Sequence, residues 1–230
     1  MTKAVCFDLD DTLGHYAADF GAFTALVRNE LGLHQCDTNA FAKLVSSELR
    51  KDGPLTFELA LRRVLDGLEQ RPPADLAQLA ATAMAWYAAD YRPLPGAAEL
   101  LADLDSRGVK LVLVTNGPDD MQRAALRALG FERHFRAVLV SGDRDVAARK
   151  PAPRIFSLAL TALEVVPEEA VMIGDDLDAD IGGAIDYGLE AIHVGTPTAP
   201  VPAGVGQAAD LAAVRRQLAE LLGLGELLGG

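Results

Sequence analysis

The sequence predicts an α/β protein: a Rossmann-like parallel sheet core flanked by helices, with a four-helix domain inserted after the first strand. Three observations predict it. Short, wholly apolar runs alternate with helical runs after residue 93. Each apolar run stops at a polar cluster. Residues 14 to 92, by contrast, contain no β-rich run and carry only helical spacing.

Ala4-Val5-Cys6-Phe7 reads as a buried strand that breaks off at Asp8. Four helices follow, at Phe20 to Leu31, Asn39 to Arg50, Thr56 to Leu68 and Leu76 to Tyr91. They are broken at Gly32, Asp52-Gly53-Pro54 and Arg71-Pro72-Pro73. Arg92-Pro93-Leu94-Pro95-Gly96 reads as the linker back to the core. Strands are expected at Val109 to Val114, Ala137 to Val140, Ala170 to Ile173 and Ala191 to Val194. Between and around them lie helical runs at Ala97 to Arg107, Asp119 to Leu129, Arg154 to Leu163 and Asp178 to Tyr187. A last helix runs from Leu211 to Leu222, and the Gly- and Leu-rich end after it is expected to fray. The expected division is therefore 1–13 plus 93–230 for the α/β core and 14–92 for the inserted helices. Apolar strands separated by helices imply a parallel sheet of at least five strands covered on both faces. Ligands of such sheets bind beyond the carboxyl ends of the strands, where the polar clusters of this chain gather.

Composition narrows the function classes. Half of the 230 residues are hydrophobic, enough for a large core, and the net charge is −12. That acidity argues against a nucleic-acid or membrane-surface partner, and it leaves any bound phosphate to be met by local cations. Cys6 and Cys36 form no spaced pair and are expected to be reduced. No secretory leader is read at Met1-Thr2-Lys3, and no apolar run reaches the roughly 18 residues of a transmembrane span. A soluble, cytoplasmic protein, monomer or homodimer, is expected.

Four clusters carry the candidate chemistry. In Asp8-Leu9-Asp10-Asp11-Thr12, three acids just past a buried strand would repel one another unless a cation relieves them. Oxygen-only ligands suit Mg²⁺. In a tight turn Asp8 and Asp10 can share a side while Leu9 packs away, so that one attacks phosphorus and the other handles protons. The competing reading is helix capping. Thr115-Asn116-Gly117 offers a hydroxyl, an amide and backbone N–H groups to phosphate oxygens, although Asn-Gly is also an ordinary turn. Lys150 stands before Pro151-Ala152-Pro153 and a helix start, where a lone lysine is more often solvated. Gly174-Asp175-Asp176-Leu177-Asp178-Ala179-Asp180 places four acids in six positions, more than capping needs, and reads as metal binding.

In this order the clusters, Asp-x-Asp-x-Thr, Thr-Asn-Gly, Lys-Pro and Gly-Asp-x-x-x-x-Asp, resemble the haloacid dehalogenase-like (HAD) hydrolase superfamily. The resemblance runs from Lys3 to about Leu222 and includes Leu94-Pro95-Gly96 and the Gly-Ala-x-x-x-Gly at Gly183 to Gly188. It implies a phosphatase with an inserted helical cap, hydrolysing small phosphate monoesters through an aspartyl-phosphate with Mg²⁺ as cofactor. Asp8 would be the nucleophile, and Asp10 would protonate the leaving alcohol and then activate water. Mg²⁺ would be held by Asp8, the Asp10 carbonyl and Asp175. Thr115 and Asn116 would bind the phosphoryl group. Lys150 would neutralise charge, oriented by Asp180, and Asp176 would assist through metal-bound water. An acid at Asp10 separates this branch from the dehalogenases, which lack one there and use no metal.

Alternatives within the same residues are a phosphomutase and a non-enzymatic aspartyl phospho-acceptor. Chain order opposes the latter, because Lys150 precedes the second acid cluster and helices interrupt the first two motifs. A phosphonate-cleaving variant would need a cap lysine that nothing singles out. The resemblance admits sugar phosphates, phosphoglycolate, nucleotides and acyl-sugar phosphates as small phosphorylated partners. Cys6, Trp86 and Tyr87 are read as core or cap packing. His15, Tyr16 and Lys51 are read first as ordinary packing or solvated turn residues, with reaching the site as the alternative.

Overall fold

The computed structural model describes residues 2–224, so most of the segment expected to fray, 225–230, lies outside the described residues. The sheet has six parallel strands: β1 (Ala4–Phe7), β4 (Lys110–Thr115), β5 (Ala137–Val140), β6 (Ala170–Gly174), β7 (Glu190–Val194) and β8 (Gly206–Ala208). Their order is β5-β4-β1-β6-β7-β8. Phe7 sits beside Leu113 on one side and Ile173 on the other, so the ends of β4, β1 and β6 are level. Side chains alternate between the faces. Val5, Phe7, Leu111, Leu113, Val171 and Ile173 join the cluster beneath α5 (Ala97–Ser106), α6 (Asp119–Leu129) and α9 (Leu211–Leu221). Cys6, Val112, Val114 and Met172 face α7 (Pro153–Leu163) and α8 (Gly183–Tyr187). Cys6 is therefore core packing, and burial pushes its thiol up to about 12.

The inserted segment holds α1 (Phe20–Glu30), α2 (Thr38–Glu48), α3 (Phe57–Gly67) and α4 (Leu76–Ala89). Asp19, Asp37 and Thr56 cap the first three by accepting from Ala22, Ala40 and Leu59 N–H groups. α3 buries Phe57, Ala60, Leu61, Val64 and Leu65, an apolar stripe at helical spacing. Trp86 and Tyr87 pack as expected: Tyr87 stacks on Tyr16 at 4.6 Å, and Trp86 lies against the main core.

Three details depart from the sequence expectation. Chain entry and exit form an antiparallel ribbon, β2 (Gly14–Tyr16) on β3 (Tyr91–Pro93), where helix end and linker were read. β8 adds a sixth strand at the sheet edge. Three-residue strands are too short for alternation to register. The helix read at Asp178 to Tyr187 instead begins as a π-helical turn, Leu177–Gly182, before α8. The Asp176 carboxylate holds that turn by accepting from Asp178 and Ala179 N–H groups, each at 2.9 Å. Among the described residues no helix is long and apolar enough to cross a membrane.

Candidate active site

The level ends of β4, β1 and β6 bring three of the four clusters together, and Lys150 arrives from the loop before α7. Asp8 continues β1 by donating its N–H to the Ile173 carbonyl at 2.9 Å. Leu9 then turns fully inward, and its carbonyl accepts from Leu13 and Gly14 N–H groups, which folds the chain back into β2. This turn sends Asp8 and Asp10 to one side, into a cavity of about 220 Å³ that Lys150, Asn116, Asp175 and Asp180 also line.

Lys150 is 4% exposed, against the usual solvated fate of a lysine. Its Nζ lies 2.6 Å from Asp8 Oδ1 and 2.6 Å from Asp180 Oδ1, and it donates to the Val114 carbonyl at 2.6 Å. Burial alone would lower the ammonium, but Asp180 and Asp8 outweigh it and hold the Lys150 pKa above its ordinary range. The Lys150 backbone is held as well: its N–H donates to Asn116 Oδ1 at 2.8 Å, and its carbonyl accepts from Asn116 Nδ2 at 3.0 Å. Asn116 thus ties the second cluster to the third.

Asp10 is gripped from both sides. Tyr91 Oη donates to its Oδ1 at 2.6 Å, and Gln122 Nε2 donates to its Oδ2 at 2.9 Å. Burial raises its pKa, and these two donors partly offset the rise. Thr115 is fully buried, and its hydroxyl donates to Gln122 Oε1 at 2.9 Å. Asp176 caps the π turn, and its N–H donates to Asp180 Oδ2 at 3.1 Å. Gly174 is needed beside it: a Cβ there would stand 2.2 Å from Asp180 Oδ2.

Carboxylate oxygens of Asp8, Asp175 and Asp180 lie within 4.8 Å of one another, and the Lys150 ammonium meets two of the three, Asp8 and Asp180. Burial pushes Asp8 well above its ordinary value, with Lys150 opposing and Asp180 and Asp10 adding to the rise. Asp175 is pushed up to about 7, by burial first and then by Asp180 and Asp11. A hard divalent cation would reverse both shifts, so this all-oxygen set fits Mg²⁺. Asp8 and Asp175 could hold it with the Asp10 backbone carbonyl, leaving Asp180 to Lys150.

Tyr91, Gln122 and Arg149 line or brace the site and were not singled out from the sequence. One signal was present for Gln122: it interrupts the buried stripe of Met121, Ala125 and Leu126 on α6, and a buried amide there requires partners. Tyr91 and Arg149 carry no such signal. Of the residues with reaching the site as the alternative, Tyr16 joins the aromatic stack with Phe20, Phe23 and Tyr87.

Comparison with known proteins points to one family. The family profile described as haloacid dehalogenase-like hydrolase matches residues 2–188. A ribulose-1,5-bisphosphate 5-phosphatase from Halopiger xanaduensis is 35% identical over 204 residues, covering 84% of each chain. A phosphoserine phosphatase from Thermus thermophilus is 44% identical over 104 residues, which is 45% of this chain and only 41% of that protein. The crystal structure of a 2-haloacid dehalogenase from Pseudomonas syringae superposes with a TM-score of 0.73 at 26% identity, covering 97% of this chain and 99% of that one. A parallel sheet with acids beyond two adjacent strands, a buried lysine between them and a match over most of its length has one reading: this chain belongs to the haloacid dehalogenase-like hydrolases.

Proposed function

We propose that the protein is an Mg²⁺-dependent phosphatase of small phosphate monoesters, acting through an aspartyl-phosphate. The observation that carries this is the pair of acids two residues apart in different states of restraint. Asp8 faces the Lys150 cation, whereas Asp10 is half-buried between two neutral donors, the Tyr91 hydroxyl and the Gln122 amide. One is placed as a nucleophile and the other as a proton donor. The phosphatase names of the two relatives support the same reading, and Asp10 is the residue that sets it apart from dehalogenation.

In this reading an Asp8 oxygen attacks phosphorus as the bond to the ester oxygen breaks, and Asp10 gives that oxygen its proton. Asp10 then takes a proton from water as the water oxygen attacks phosphorus, and the Asp8 carboxylate leaves. Lys150 holds the Asp8 oxygen and balances charge, while Asp180 holds Lys150. The Asn116 side chain fixes the Lys150 backbone, and because the Gly117 N–H is donated to Ser141 Oγ at 2.9 Å, the Asn116 N–H is the backbone donor left to meet a phosphoryl oxygen. Bound Mg²⁺ supplies charge neutralisation at the phosphoryl group, where positioning and cations dominate the barrier. Residues 14–92 serve as a cap over the leaving group, and 1–13 with 93–230 as the catalytic core.

The test is single-turnover kinetics with p-nitrophenyl phosphate and an alkyl phosphate, with the adduct followed by intact mass. Chelation should abolish phosphate release, and Mg²⁺ should restore it. Asp8→Asn should form no phosphoenzyme. Asp10→Asn should slow transfer from the alkyl phosphate about 10²–10⁴-fold and from the aryl phosphate much less, because p-nitrophenolate leaves without a proton. Full activity after exhaustive chelation, or a phosphoenzyme on Asp8→Asn, would overturn the proposal. A requirement for a bisphosphate activator would turn the reading to a mutase.

A further inference from the structure

Beside the acid-lined cavity lies a second one of about 450 Å³, and the two share Asp10, Asp11, Asn116 and Arg149. The outer cavity adds apolar surface from Phe20, Leu49, Tyr87 and Met121, together with Ser46 and Arg50. Arg149 is half-buried, next to Lys150 in sequence, and its Nη1 donates to the Leu49 carbonyl at 3.3 Å. That contact brings Arg149 of the core against the end of α2, where Arg50 follows directly. The acids Asp10 and Asp11 belong to the junction of the cavities, whereas Arg50 belongs to the outer one alone.

Neither arginine forms a salt bridge among the described residues. Some guanidinium groups of this chain find carboxylates, such as Arg62 with Glu58 and Arg123 with Asp119 and Asp143; Arg50 and Arg149 instead line one cavity together. Burial lowers the Arg149 pKa; Asp52 opposes this from beyond salt-bridge distance, and Arg50 lowers it further. Two guanidinium groups lining one cavity, the exposed Arg50 and the half-buried Arg149, favour an incoming anion.

We infer that the outer cavity is an anion subsite that selects phosphate monoesters whose alcohol part bears a second anionic group, a carboxylate or a phosphate, gripped by Arg50 and Arg149. The inference rests on the phosphatase reading above and deepens it. The first phosphate enters between Lys150 and the acids, the carbon chain lies along Leu49, Phe20 and Tyr87, and the distal anion meets the two forks. Planar guanidinium groups suit either oxyanion, because both present paired oxygens.

Two matched substrate pairs test it. 3-Phosphoglycerate and glycerol 3-phosphate differ at one end by a carboxylate, and fructose 1,6-bisphosphate and fructose 6-phosphate differ by a phosphate. The doubly anionic member of at least one pair should have a kcat/KM about tenfold or more above its partner, carried mainly by KM. Which pair shows it identifies the distal group. Arg50→Gln and Arg149→Gln should each collapse that ratio toward one, whereas Arg50→Lys should keep part of it. Phosphate release from all four substrates with ratios near one would overturn the inference and leave the phosphatase reading standing. A ratio unmoved in both glutamine variants would do the same. No phosphate release from any substrate, p-nitrophenyl phosphate included, would overturn both.

Discussion

Asp8, Asp10 and Asp175 share a burial penalty that the fold relieves for the first two. Asp8 has Lys150, Asp10 has the Tyr91 hydroxyl and the Gln122 amide, and Asp175 has no side-chain donor recorded among the described residues. Asp175 is thus the acid with most to gain from a cation. Its ordinary value of 3.8 is raised to about 7, so the stability it contributes is full below about pH 4 and is lost as pH rises through 7. The upward shifts of Asp8 and Asp10 have the same sign, whereas the raised Lys150 would titrate only in alkali. Metal-free protein should therefore melt at lower temperature at pH 8 than at pH 5. Mg²⁺ should raise Tm more at pH 8, because it pairs with the ionised acids. Thermal melts at both pH values, with Mg²⁺ or chelator, check this. An Mg²⁺ effect of equal size at pH 5 and pH 8 would contradict it.

At the level of elements, the decisive joints are backbone contacts between segments far apart in sequence. The chain between α2 and α3 is pinned to the core: Leu55 N–H donates to the Gly142 carbonyl at 2.9 Å, and the Leu55 carbonyl accepts from Asp119 N–H at 2.9 Å. The Asp120 carboxylate accepts from Phe57 N–H at 2.9 Å, which secures the start of α3. Gly142 sits where these strands of chain cross. A Cβ there would meet the Gly117 and Leu55 carbonyls at 2.6 Å and the Asp119 nitrogen at 2.9 Å, all of it backbone that cannot swing away. Gly142→Ala should cost about 1–3 kcal/mol, read as a lower urea midpoint at unchanged m. Gly67→Ala, at the end of α3 with nothing within 4 Å of its Cβ, should be neutral or slightly stabilising. Equal midpoints for the two variants would show that the crossing is not tight.

Across the whole molecule, the inserted helices and the sheet share one apolar cluster. It runs from Phe41, Phe57 and Phe23 through Tyr87, Tyr91 and Leu13 to Phe7, Leu113 and Ile173. The β2–β3 ribbon carries Tyr91 into that cluster and its hydroxyl onto Asp10, so the joint between the two parts is also a wall of the site. A continuous core predicts a single cooperative unfolding step. The chain has one tryptophan, Trp86, carried on α4 of the inserted helices. Its fluorescence and the far-UV circular dichroism should give coincident urea midpoints. A tryptophan transition at clearly lower urea would mean that the inserted helices unfold first.

Local pattern was enough to read the α/β class, the inserted helices and the four clusters in order. Apolar period and turn residues are properties of neighbouring positions, and clusters at strand ends must meet once the strands are parallel. The same logic gathers Asp8, Asp10 and Asp175 at one sheet edge, whereas Lys150, which taken alone looks solvated, and its partner Asp180 are joined to them only by the family resemblance; all five line one cavity. Short segments escaped local pattern: β2, β3 and β8 span three residues each, and the π-helical turn depends on a carboxylate cap rather than on periodicity. Contacts across long separations escaped it too. Tyr91 and Gln122 reach Asp10 from 81 and 112 residues away, and Arg149 reaches Leu49 across 100. Which side chain braces the acid and which cations line the outer cavity depend on how the ribbon and the α2 end fold back over the sheet. No local pattern encodes that path, because it follows from the packing of the shared core as a whole.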